Sequence, residues 1–152
     1  MNLIEINDAI QKIVTMTTRA DRLNIAGIVI IYIFFATVIA EAIMIRISVE
    51  RGEMHKSVNI IFWVAVLFMG ISVTLWSISG KIKESADSSK KQLLEDIVNS
   101  ENCSDVFVDS DKISFTYTFD GVTTPVEYDI AISDELQAHA NVLIIRKYQT
   151  EQ

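Results

Sequence analysis

The sequence predicts a membrane α-helical hairpin, two transmembrane helices preceded by an N-terminal amphipathic helix, with a small C-terminal α+β domain built on an antiparallel sheet. Three observations predict it. Two long stretches are almost free of charge, the hydrophobic period changes from helical to strand-like after residue 100, and the acidic excess is confined to the C-terminal half. Half of the residues are hydrophobic and only one is Pro, yet 22% are charged, a mixture explained by segregation along the chain. Between Arg22 and Arg46 the only charge is Glu41, and between Lys56 and Lys81 there is none. Each run is near the ~20 residues that a helix rising ~1.5 Å per residue needs to cross ~30 Å of hydrocarbon. A soluble bundle with two such helices buried would need far more polypeptide to cover every face. Ala40-Glu41-Ala42 imitates a leader-peptide cleavage site, but the apolar run before it is too long and its polar leader too extended, so no cleavage is expected.

Residues 1–22 read as the amphipathic helix: Leu3, Ile6, Ile10, Ile13 and Thr17 recur at spacings of three and four, with Glu5, Asp8, Gln11, Lys12 and Arg19 on the other side. Such a helix can lie in the headgroup plane or mediate oligomerisation, the reading favoured by the sequence, or it can pack on the C-terminal domain. Residues 23–45 form the first crossing, in which Ala36 and Ala40 make a small-xxx-small pair. Residues 46–56 are a short polar connection turning at Gly52, which forces the two helices to be antiparallel neighbours. Residues 57–80 form the second crossing, with Trp63 and Trp76 towards its ends and Gly70 and Thr74 four apart. The faces bearing Ala36, Ala40, Gly70 and Thr74 are expected to meet each other or a second copy. Glu41 is the intramembrane charge; about a turn from Arg46, it fits a headgroup-level position with Arg46 reaching back better than an ion path.

Seven cations flank the two crossings on the terminal side (Lys12, Arg19, Arg22, Lys81, Lys83, Lys90, Lys91), against Arg46, Arg51 and Lys56 in the connection. The positive-inside rule then places both termini in the cytoplasm of a multi-pass protein of the cell (inner) membrane.

Residues 81–152 form the acidic cytoplasmic domain. It holds seven basic and fourteen acidic residues, while the segment before it balances six against six, so the net charge of −7 belongs wholly to this part. Such a surface repels phosphate, and a nucleic-acid partner is not expected. The helical period resumes to about Asn99 with Leu93, Leu94, Ile97 and Val98 on one side. Residues 106–108 are a short strand candidate. Ile113, Phe115, Tyr117 and Phe119 then alternate with Ser114, Thr116 and Thr118, and Asp120-Gly121 supplies a type I′ hairpin turn. With Phe119 opposite Val122, the pairs Tyr117–Thr124, Phe115–Val126 and Ile113–Tyr128 share one face, and Pro125 falls opposite Thr116 with its missing N–H pointing outward. The strand carrying Val122, Pro125 and Glu127 is therefore an open sheet edge. Ser133-Asp134-Glu135 starts a short helical turn through Ala140, and residues 141–148 are read as a last strand beside residues 113–119. A domain this small folds only marginally alone and is expected to lean on the membrane helices or on self-association.

No phosphate loop, paired cysteine or nucleophile motif is present, so no catalytic residue, cofactor, metal or small-molecule substrate is expected. His55 with Glu50 and Glu53, and Asp105 with Asp109 and Asp111, imitate metal clusters but lack ligand spacing. Cys103 cannot form an internal disulfide, which fits a reducing compartment, and His139 reads as structural. The sequence thus points to a non-enzymatic, membrane-anchored interaction or regulatory protein with the bilayer and a protein partner or homo-oligomer as its contacts. The alternatives are an oligomerising, membrane-permeabilising (holin-like or toxin-like) or channel-forming protein, and an accessory subunit of a membrane complex or an exclusion or immunity factor.

Overall fold

A computed structural model describes residues 2–51 and 57–150. In chain order the elements are helix α1 (Leu3–Arg51), helix α2 (Ser57–Asn99), strands β1 (Cys103–Val108), β2 (Lys112–Phe119) and β3 (Val122–Asp129), and helix α3 (Asp134–Thr150). Neither long helix breaks where the composition changes, at Arg22 or at Gly80. The sole proline of the chain is in β3, and the polar stretches are rich in residues a helix tolerates. The connection is also shorter than the sequence implied. Helix α1 runs through residues 46–51, where Arg46 Nε lies 3.7 Å from Glu50 Oε1 across one helical turn. Gly52, Glu53, His55 and Lys56 lie outside the described residues.

The chain divides into two compact units: Met1–Thr17 with Glu84–Gln152, and Thr18–Lys83. In the first, Asn2 caps α1 reciprocally: its Oδ1 accepts the Glu5 N–H at 2.8 Å and its N–H donates to Glu5 Oε2 at 3.0 Å. Ile6, Ile10 and Ile13 are buried with Leu93, Leu94 and Ile97 of α2, Ile113, Phe115 and Tyr117 of β2, and Leu136 and Ala140 of α3. This corrects the reading of residues 1–22 as an interfacial or oligomerising helix. Its apolar stripe is consumed by the core of its own unit, the packing alternative, where Ile6, Ile10 and Ile13 leave water together with the side chains of the sheet.

The sheet is three-stranded, antiparallel, in the order β1-β2-β3. The β2–β3 register is the one the side-chain pattern predicts, with Phe119 opposite Val122, Tyr117 opposite Thr124, Phe115 opposite Val126, Ile113 opposite Tyr128 and Thr116 opposite Pro125. Asp120 (φ 50°) and Gly121 (φ 77°) both take the left-handed conformation that a type I′ turn requires. On its other side β2 pairs with β1, whose ladder shifts between Ser104 and Phe107; Asp105 in that bulge has φ 50°.

Residues 141–148 are not a strand. They belong to α3, which begins at the Ser133 cap, where Ser133 Oγ accepts the Leu136 N–H at 3.4 Å, and continues to Thr150. The Val-Leu-Ile-Ile run imitates a buried strand, but Leu136 and Ala140 are buried and Leu143, Ile144 and Lys147 half-buried, the three-to-four spacing of a helix lying on the sheet. Strand β1, the weaker candidate in the sequence, occupies the place beside β2 that had been given to that segment.

In the second unit, parts of α1 and α2 run antiparallel. Both parent helices are long and apolar enough to cross a membrane, over Leu3–Ile47 and Phe62–Asn99. Large side chains point outward all around: Ile25, Tyr32, Phe35 and Ile39 of α1 and Phe62, Leu67, Met69 and Val73 of α2 are each at least half exposed.

Candidate functional site: the helix seam and the sheet edges

The seam of the helix pair is made of small and hydroxylated residues. Ser72 Oγ donates to the Gly27 carbonyl oxygen at 2.9 Å and Ser79 Oγ to that of Ala20 at 2.8 Å, and both serines are buried. Seven residues along one helix match seven back along the other, the repeat that keeps a seam facing its partner. Ala65 continues the series on α2 and is 4% exposed; Phe34 continues it on α1 and is half-buried. Gly27 is needed for close approach, since a Cβ there would lie 2.8 Å from Cδ1 of Trp76. Beyond Ser79, Lys83 Nζ meets Asp21 Oδ1 at 3.1 Å in an exposed pair.

The helix-packing residues expected from the sequence lie elsewhere. Ala36, Ala40, Gly70 and Thr74 are all exposed, and a Cβ added at Gly70 would have nothing within 4 Å. Of the two partners expected for these faces, the opposite helix of the hairpin is therefore not the one they meet. Thr74 satisfies its hydroxyl on its own helix, on the Gly70 carbonyl oxygen at 2.8 Å, as Thr37 does on Ile33 at 2.8 Å. The small pairs four apart, Ala36 with Ala40 and Gly70 with Thr74, stand on exposed faces, off the seam. The sign that singles out the seam is recurrence every seven residues, in Ala20 and Gly27 and in Ala65, Ser72 and Ser79. Glu41 falls on the same series and is half-buried. Arg46 does not reach back to it but pairs with Glu50.

In the other unit the two sheet edges differ from a simple open rim. Strand β3 is an edge, with Val122 66% exposed and Pro125 and Glu127 exposed. The Phe119–Val122 pair closes the tight turn, so alternate residues, among them Thr123, Pro125 and Glu127, face outward with their backbone groups. Pro125 removes a donor from the middle of that row, a device that discourages strand addition. The β1 edge is covered by α3. Gln137 Nε2 donates to the Val108 carbonyl oxygen at 3.2 Å, and ten residues further on Lys147 Nζ donates to those of Ser100 and Cys103 at 3.1 and 3.0 Å. Between them His139 Nε2 lies 2.9 Å from Glu95 Oε1 and ties α3 to α2.

Beside Lys147, a cleft of about 360 Å³ is lined by Val98, Cys103, Val106, Ile144 and Tyr148. Burial pushes the Cys103 thiol up from its ordinary value, against the opposing pull of Ser100 and Lys147. A thiol held protonated is a poor nucleophile. Asp105, Asp109 and Asp111 do not converge: Asp109 turns back to accept the Ser110 N–H at 2.7 Å, and among the described residues no cluster of three or more His, Cys, Asp or Glu side chains could hold a metal. No protein family, no curated protein and no solved structure matches this chain.

Proposed function

We infer that the chain is a non-enzymatic, membrane-anchored interaction protein, in which α1 and α2 cross the bilayer as a hairpin and hold the acidic α+β unit at the cytoplasmic face, where a protein partner binds. The observation that carries this reading is the reversed polarity of the helix pair. Hydroxyls and small residues face inward, large apolar side chains face outward, and exposed threonines bond their own backbone, which is the arrangement hydrocarbon demands. The seven cations on the terminal side of the apolar runs orient it. The test is a Thr123→Cys variant in intact cells. Position 123 is exposed, whereas Cys103 is only 1% exposed and stays silent. An impermeant maleimide should react only after the membrane is opened, and the chain should resist alkaline carbonate extraction. Reaction in intact cells inverts the topology, and release by carbonate removes the anchor. Crosslinking in native membranes should then capture a stoichiometric partner.

A second reading draws on the outward Ala36, Ala40, Gly70 and Thr74, whose faces leave room for a second copy. In it the hairpins oligomerise and permeabilise the membrane. Dye leakage on induced expression supports it, and an unchanged membrane potential without leakage rejects it.

A further inference from the structure

We propose that Arg19, Arg22 and Lys81 form a girdle that binds anionic phospholipid headgroups at the polar end of the helix pair; this rests on the membrane insertion argued above and adds the lipid chemistry. The Ser79–Ala20 bond sets residues 20 and 79 side by side. Arg19, Asp21 and Arg22 on α1 and Lys81 and Lys83 on α2 therefore all lie within about 6 Å of that level along the helix axes, at ~1.5 Å per residue. One acid serves four cations and two of the five groups are already spent, because Asp21 holds Lys83 at 3.1 Å. Arg19, Arg22 and Lys81 are exposed and make no hydrogen bond or ion pair with another described residue.

The girdle stands at the rim of the apolar surface. Leu23 opens the uncharged run on α1, Gly80 closes the one on α2, and Trp76 sits one turn inside, half-exposed, against Gly27. Phosphate groups of a bilayer lie at this level when indole marks the boundary. Arg19 and Arg22 are three apart on one flank of α1, and a guanidinium fork donates to two phosphate oxygens at once. Each basic residue near an anionic surface contributes a partition preference of about fivefold.

The chain has two tryptophans, so Trp63→Phe leaves Trp76 as the reporter. This chain is reconstituted in vesicles of dioleoyl phosphatidylcholine containing phosphatidylglycerol, with one lipid or the other brominated on its acyl chains. Quenching of Trp76 should show a preference for phosphatidylglycerol of about fivefold or more, falling in molar salt and approaching one in the R19Q/R22Q/K81Q variant with its helical circular dichroism intact. Equal quenching by both brominated lipids, or a preference that survives both salt and the triple substitution, overturns the headgroup site while leaving insertion standing. No quenching by either lipid removes insertion and the girdle together. The salt titration uses the unsubstituted girdle, so a variant that misfolds does not shelter the proposal.

Discussion

The two units solve the same problem, holding helices together, with opposite materials. In the first, Ile6, Ile13, Leu94, Ile97 and Ile113 are at most 1% exposed, so large apolar side chains fill the inside. In the second, the buried residues among those described are Ala20, Gly27, Ala65, Ser72 and Ser79, while most of the Ile, Phe and Trp side chains face out. Leaving water drives the first arrangement. It contributes nothing between helices in a medium as apolar as leucine, where close backbone approach and hydrogen bonds remain. The difference teaches that the inward composition of a helix pair reports the solvent for which its outside is built.

The largest expected effect tests the first material. Leu94→Ala removes a fully buried side chain at the centre of the core and should cost about 2–5 kcal/mol, read as a lowered midpoint in denaturant unfolding of the detergent-solubilised chain by circular dichroism. A cost near that of a surface change would mean that the core is not the one described. The second material is tested by overpacking. Gly27→Leu drives side-chain atoms into Trp76 and should cost about 1–3 kcal/mol, with Trp76→Ala in the same chain restoring part of it. Trp63 and Trp76 both belong to the helix pair, so tryptophan fluorescence during titration with sodium dodecyl sulfate reports the seam alone. Ser72→Ala and Ser79→Ala should each cost about 0.6 kcal/mol, at most ~2, by the same titration. Equal and large losses for serine and leucine truncations would erase the contrast.

The hairpin of β2 and β3 was fully legible in the sequence because strict alternation and Asp120-Gly121 each fix the register independently. The two apolar runs were legible because hydrophobicity is local. Three features were not. Val142 to Ile145 carry strand-forming side chains, and only Leu136 and Ala140 docking on the sheet decide for a helix, which is a tertiary choice. The continuity of α1 and α2 through Arg22 and Gly80 leaves no mark, since a helix that runs on through a change of composition has no cap to read there. The seam is not legible because its small residues recur at seven rather than at four, and the choice between faces is made by two cross-helix bonds at separations of 45 and 59 residues.

The smallest expected effect is an alkaline one, confined to the water-built unit. Burial raises the pKa of Cys103, and burial likewise raises that of Tyr128. Both groups are neutral when protonated, so the folded state binds the proton more tightly than the unfolded chain. Their contribution is complete below the ordinary pKa values of about 8.5 and 10, and it fades as pH rises through the higher folded values. Unfolding midpoints should therefore decline above about pH 8.5, and Cys103→Ala with Tyr128→Phe should flatten that decline while leaving the fluorescence titration of the helix pair unmoved.

The treatment of the sheet margins has a consequence for crowding. One side is roofed by α3 through Gln137 and Lys147, and the other is interrupted at Pro125, so neither margin offers an unbroken row of amide donors to a neighbour. Many copies brought to high local density, as in a two-dimensional film, would have no template for fibre growth, and contacts between them would have to be made by side chains.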